Sequence, residues 1–284
     1  MKTILIPVDF SAASYNAVRY AAELSKSPEH EIGRIILFNS YYVSIYEQIL
    51  PSPDLTQVSD QEILRKREEI RQRLEAMKQE VSPLMGQGVT VELVKSDLPL
   101  LRAVLQMVEQ KAVDLLIIGS NLPAGTRESD IGEQLIPIAR TCPVPVLIVP
   151  ADKHCAGIKK VLLPCDFKNL SNLAPLKSLQ DADLWVKSEV LVLNVDPLLR
   201  RAEPDKKWQD VESNLQAFLK NINYKTYYSD EKDVLSGILN FAEANKVDLI
   251  LALPGKHSFF YSMTHKSISQ HVAVNSEIPV LILK

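Results

Sequence analysis

Short uninterrupted apolar runs alternate with longer stretches in which apolar residues recur every three or four positions, and this alternation organises the whole chain. Lys2–Val8 (KTILIPV) predicts a strand buried on both faces, since its apolar side chains fall on both sides of the pleat. The stretch that follows predicts a helix capped by Ser11 or Ser14, with Tyr15, Val18, Ala22 and Leu24 at helical spacing. Arg34–Asn39 (RIILFN) predicts a second strand, and Tyr41–Asp60 reads as irregular. Gln61–Val81 predicts a long charged helix with Ile63, Ile70, Leu74 and Met77 on one side. Val89–Val94 alternates like a strand, and Pro99–Lys111 carries the stripe of a buried helix face at Leu100, Leu101, Val104, Leu105 and Val108. Asp114–Pro150 then supplies a buried strand, a glycine-marked loop, a helix and another strand. Strands and amphipathic helices in this alternation imply an α/β fold, a parallel sheet with helices on both faces.

The pattern is written twice. Lys159–Asp166 (KKVLLPCD) echoes Lys2–Asp9 (KTILIPVD), and Glu189–Asp196 echoes the second strand. Trp208–Ile222 is the expected counterpart of the long helix, Lys225–Ser229 of the third strand and Val234–Ala244 of the next helix. Asp248–Lys284 repeats Asp114–Pro150. Asp114 to Asp248 is 134 positions and Pro145 to Pro279 is again 134, so strand, loop, helix and strand recur without net insertion. Asp9 to Asp166 is 157 positions; the first copy therefore holds 23 more residues, which fit in the Tyr41–Val81 region. Two repeated domains, residues 1–150 and 158–284, each with a five-stranded parallel sheet, follow from this, with Ala151–Gly157 as the connector.

Composition narrows the class. A chain of 284 residues, 46% hydrophobic and 24% charged, is long enough for two cores and is not of disordered type. A net charge of −3 argues against a nucleic-acid binder or a polybasic membrane surface. No apolar run approaches the roughly 18 residues a membrane helix needs, and the N-terminus enters a strand rather than a signal peptide. Cys142, Cys155 and Cys165 form neither a CxxC pair nor a disulfide framework, so the expected location is cytoplasmic.

The first strand ending in Pro-Val-Asp-Phe-Ser (Pro7–Ser11), the Asp-Leu-Leu-Ile-Ile-Gly-Ser strand and the closing Pro-Val-Leu-Ile-Val strand resemble the universal stress protein family. The resemblance covers both halves, like a tandem member. It implies an adenine-nucleotide-binding type of fold, of which some members bind ATP and others do not. The binders carry G-x2-G-x9-G-[S/T] after the fourth strand, where glycines let backbone approach phosphate and a helix N-terminus holds it. In the first copy the pattern falls on Gly119, Leu122, Gly132 and Glu133. The spacing is intact, but Leu122 adds bulk and Glu133 sets a carboxylate where phosphate charge would lie, which argues against triphosphate binding. In the second copy it falls on Leu253, Lys256, Lys266 and Ser267; the glycines are gone, and the two lysines with the hydroxyl form a candidate anion site. The resemblance also implies contacts at the ends of the first two strands: Pro7, Val8, Asp9 and Ser40 in one copy, and Pro164, Cys165, Asp166 and Val195 in the other. Turn formation or helix capping is the plain alternative for both aspartates.

Other constellations are weaker. His257, His265 and His271 lie eight and six apart, not at the spacing of a helical metal pair. Ser11, Asp9 and His30 could make a triad only on paper, and no nucleophile elbow or Walker loop appears, so no catalysis is expected. The expected protein is a non-catalytic stress-response or signalling protein with degenerate nucleotide loops. Its domains are expected to pair as a pseudo-dimer through the terminal strands Val144–Val149 and Ile278–Leu283, which would cover two apolar edges. Protein partners and a further homodimer remain open at this level, and no cofactor is fixed. The rival expectation is an adenine-nucleotide sensor, with ATP as candidate ligand and slow hydrolysis.

Overall fold

A computed structural model describes residues 1–42, 60–121, 130–165, 188–196, 219, 222–253 and 276–284. The expected helix Trp208–Ile222 lies outside them except for Leu219 and Ile222. In chain order the strands are β1 (Lys2–Pro7), β2 (Ile32–Ser40), β3 (Thr90–Ser96), β4 (Leu115–Ser120), β5 (Val146–Pro150), β6 (Lys160–Pro164), β7 (Glu189–Val195), β8 (Tyr224–Ser229), β9 (Leu249–Ala252) and β10 (Val280–Ile282). The helices are α1 (Ala12–Leu24), α2 (Asp60–Val81), α3 (Leu100–Gln110), α4 (Asp130–Thr141) and α5 (Val234–Ala244).

Among the described residues the ten strands join one sheet in the order β3-β2-β1-β4-β5-β10-β9-β6-β7-β8. Every neighbouring pair is parallel except β5 and β10, which run antiparallel with Val146 opposite Ile282, Leu147 opposite Leu281 and Ile148 opposite Val280. The continuous apolar runs of the central strands follow from this placement. In β1, Ile4 and Ile6 face α1 and α2, and Leu5 faces the opposite layer with α3 and α4. Each such side chain is almost fully buried and contributes about 1.5–3 kcal/mol relative to exposure. Both apolar layers continue across the β5–β10 seam: Leu147 and Leu281 belong to one, Ile148 and Val280 to the other. The outer strand β3 has no fully buried residue, as befits an edge.

The helices sit where their stripes demand. α2 buries Ile70, Leu74 and Met77, and α3 buries Val104 and Val108. His30 ends a 3-10 turn (Pro28–His30) and is 4% exposed. It precedes β2, whereas Asp9 and Ser11 follow β1; with the two strands parallel and Lys2 opposite Ile32, the paper triad is split between opposite ends of the sheet. Among the described residues no helix is long and apolar enough to cross a membrane.

Candidate functional site

The carboxyl ends of β1, β2 and β4 meet at the point where chain order reverses, the place where open parallel sheets leave a crevice. Pro7 closes β1 opposite Phe38, and the Val8 amide extends the pairing by donating to Phe38 O at 2.7 Å. Asp9 Oδ1 then accepts from the Ser11 amide at 3.0 Å and from Ser11 Oγ at 2.6 Å. Ser11 is the N-cap of α1, its Oγ accepting from the Ser14 amide at 3.2 Å. Phe10 between them has φ of 63°, the left-handed conformation that lets the chain turn from strand into helix. Asp9 and Ser11 thus build the strand-to-helix turn, the plain alternative that the residues themselves left open.

The end of β2 contributes on both faces. Ser40 Oγ donates to Leu98 O at 2.7 Å, which ties β2 to the segment leading into α3. Asn39 is 6% exposed and its Nδ2 donates to Val8 O at 2.7 Å, fastening β2 to the residue just past β1. β7 repeats the device: Asn194 Nδ2 donates to Cys165 O at 3.0 Å, and the Cys165 amide donates to Leu193 O at 2.8 Å. The two asparagines were not among the residues singled out from sequence. Their signal was present, because RIILFN and EVLVLNV place an asparagine near the same strand end.

Gly119 ends the apolar part of β4 where the strand meets α1. A methyl group there would lie 2.1 Å from Ala13 O and 2.4 Å from Ala13 C, so β4 and α1 touch backbone to side-chain position. Beside it Ser120 is 4% exposed, and its Oγ has no hydrogen-bond partner among the described residues. Gly132 falls at the third position of α4, so the helix begins before the pattern's last glycine. The side chain of Leu122 and that of Glu133 lie outside the described residues.

The long helix α2 reaches the same end of the sheet. Arg73 lays its guanidinium 4.0 Å from the Phe10 ring centre and Arg67 lies 5.3 Å from that of Tyr41. These contacts were not legible in the sequence, where the region is marked by 23 surplus residues and a long charged helix.

In the second half Pro164 closes β6 opposite Leu193, Cys165 is 6% exposed, and Val195 is buried at the end of β7. Val195 packs on α5, where a methyl group at Gly237 would come 2.9 Å from Val195 Cγ1. Asp166, Lys256, Lys266 and Ser267, together with His257, His265 and His271, lie outside the described residues. Among the described residues no three His, Cys, Asp or Glu gather as metal ligands. Burial pushes the Cys142 and Cys155 thiols up, away from the thiolate form that redox or nucleophilic chemistry needs.

Comparison with known proteins agrees with this architecture. The sequence profile of the universal stress protein family matches residues 1–150. A universal stress protein from Archaeoglobus fulgidus superposes with a TM-score of 0.66 at 18% identity, over 99% of this chain and 96% of that one. A functionally unknown protein from Pseudomonas aeruginosa gives a TM-score of 0.54 at 13% identity, over 100% and 92%. No curated protein sequence matches. With the profile covering more than half of the chain and the α/β sheet in place, the chain belongs to the universal stress protein family.

Proposed function

We propose that this chain is a cytoplasmic tandem universal stress protein, with family domains at 1–150 and 158–284 joined as a pseudo-dimer, that acts in stress response or signalling without catalysis. The observation that carries this reading is the commitment of the crevice residues to the fold. Gly119, the first glycine of the family pattern, is filled by Ala13, and Asp9 holds the turn into α1. The antiparallel β5–β10 pairing supports the pseudo-dimer, because it removes two strand edges at once. A protein of this kind works through conformation and through protein partners.

A second reading has one observation in its favour. Ser120 Oγ, buried at the end of β4 and without a partner among the described residues, is a hydroxyl of the kind a bound ligand would satisfy. On that reading the protein senses adenine nucleotide, in the first half or through Lys256, Lys266 and Ser267 in the second. Thermal-shift titration with ATP, AMP and sulfate separates the two, since a ligand that binds only the folded protein must raise its stability. No shift at millimolar ligand, with no nucleotide released on denaturing the purified protein, leaves the non-catalytic platform. A saturable shift with ATP, abolished by Lys266→Glu, establishes the sensor.

A further inference from the structure

A cavity of about 920 Å³ opens beside the seam between the two halves, away from the β1–β4 crevice. Continuing the β5–β10 register past Ile148 and Val280 sets Pro150 across from Ile278, and the cavity lies off this end of the seam. One wall comes from Pro150 at the end of β5 and from the connector, Ala151–Lys153. The other comes from the second half: the last turn of α5, the following turn to Asp248, and Ser276–Ile278 ahead of β10.

Both walls are held by the fold. Asn16 of α1, 6% exposed, uses its Nδ2 to donate to Pro150 O and to Lys153 O, each at 2.7 Å. Opposite, Asp248 Oδ2 accepts from the Lys159 and Lys160 amides at 2.9 Å each, and Ser276 Oγ closes the turn before β10 by accepting from the Ile278 amide at 3.0 Å. A preformed cavity between packed units, with volume in the range of about 300–1,000 Å³, has the size and setting of a small-molecule site.

The lining specifies the chemistry. Leu239, Ala242, Val247 and Ile278 supply apolar surface. Four carboxylates, Asp152, Glu243, Asp248 and Glu277, stand against two ammonium groups, Lys153 and Lys246. The carboxyl end of α5 also faces the cavity, and a helix presents its partial negative charge there. Apolar walls, an excess of carboxylate and a helix C-terminus together favour a ligand with a hydrophobic body and a positive head.

We propose that the cavity formed by the connector, the α5–β9 turn and the lead into β10 is a binding site for a small organic cation, touching both halves of the chain. A ligand bridging both walls would bias the relation of the two halves across the β5–β10 seam, independently of what occupies the β1–β4 crevice.

The test uses three probes with one hydrocarbon chain and different heads: hexylammonium, hexanoate and hexanol. Backbone amide chemical shifts of the intact protein are followed at Ala151, Lys153, Lys246, Val247 and Ile278. The expected result is a saturable shift of these amides with hexylammonium and none with hexanoate or hexanol. Glu243→Lys/Glu277→Lys, at two exposed positions, should weaken hexylammonium about tenfold, and Lys153→Gln/Lys246→Gln should tighten it. An absence of saturable shifts with hexylammonium, equal shifts with all three probes, or affinity indifferent to both charge variants overturns the proposal.

Discussion

Gly119 and Ala13 occupy positions between which a single methyl group does not fit: a Cβ on Gly119 would come within 2.1 Å of Ala13 O. The obstacle is backbone, not the movable end of a side chain, so α1 itself must shift to admit it. Gly119→Ala should therefore destabilise the protein by about 3 kcal/mol, at the upper end of overpacking costs. Urea unfolding should show a lower midpoint with an unchanged slope. Unaltered stability would mean that α1 rides on β4 more loosely than these distances state, and would return Gly119 to the nucleotide reading.

Asp233 caps α5, accepting from the Ser236 amide at 2.9 Å and from Ser236 Oγ at 2.7 Å, and these hydrogen bonds hold its carboxyl below the usual aspartate range. A depressed carboxylate contributes stability that is fully present above its unfolded value, about pH 4, and is lost as pH falls through the lower folded value. Asp233→Ala should cost about 1 kcal/mol near neutrality, as loss of a cap does, and Asp233→Asn much less. The gap between wild type and Asp233→Ala should narrow below about pH 4, read from denaturation midpoints across pH. A gap that stays constant would assign the cost to packing rather than to the charged cap.

The layout was legible because buried parallel strands are written as unbroken apolar runs. Asp114-Leu-Leu-Ile-Ile-Gly-Ser cannot be placed at a surface, and its second copy at Asp248 set the repeat. Element ends moved by a residue or so, as Pro99–Lys111 became Leu100–Gln110. The crevice was less legible, for a physical reason. A glycine that admits phosphate and a glycine that admits a neighbouring helix satisfy the same steric requirement, so Gly119 reads alike in both cases until α1 is in place. Asn39 and Arg73 escaped notice because their partners, Val8 O and the Phe10 ring, are brought to them only by the sheet and by the packing of α2.

Asn16 clamps the end of β5 and the connector through the Pro150 and Lys153 carbonyls, and about two turns of α1 further on Glu23 Oε2 accepts from the Cys155 amide at 3.0 Å. Asn16→Ala should free the connector, and trypsin cleavage at Lys153 and Lys159 should accelerate about tenfold as the local opening free energy falls. Asn16→Asp should be worse than alanine at neutral pH, because a carboxylate would face two carbonyl oxygens with no proton to share. Cleavage rates equal in all three proteins would show that the connector is held by something other than Asn16.

The two aspartates that mark the repeat perform one task in both halves. Asp114 Oδ2 accepts from the Thr3 amide at 2.7 Å at the start of β1, and Asp248 Oδ2 accepts from the Lys160 amide at 2.9 Å at the start of β6. Each aspartate amide answers by donating to the same residue's carbonyl, Thr3 O or Lys160 O, at 2.9 Å. Thr3 is 8% exposed, so losing the acceptor strands an amide with little water to replace it. Asp114→Ala and Asp248→Ala should each cost about 1–3 kcal/mol, and the asparagine variants, which keep an oxygen at the acceptor position, should cost less. The apolar layers run unbroken through the β5–β10 seam, so both variants should lower the midpoint of one shared unfolding transition. Two transitions in calorimetry, each moved by only one of the aspartate variants, would contradict this and mean that the halves unfold separately.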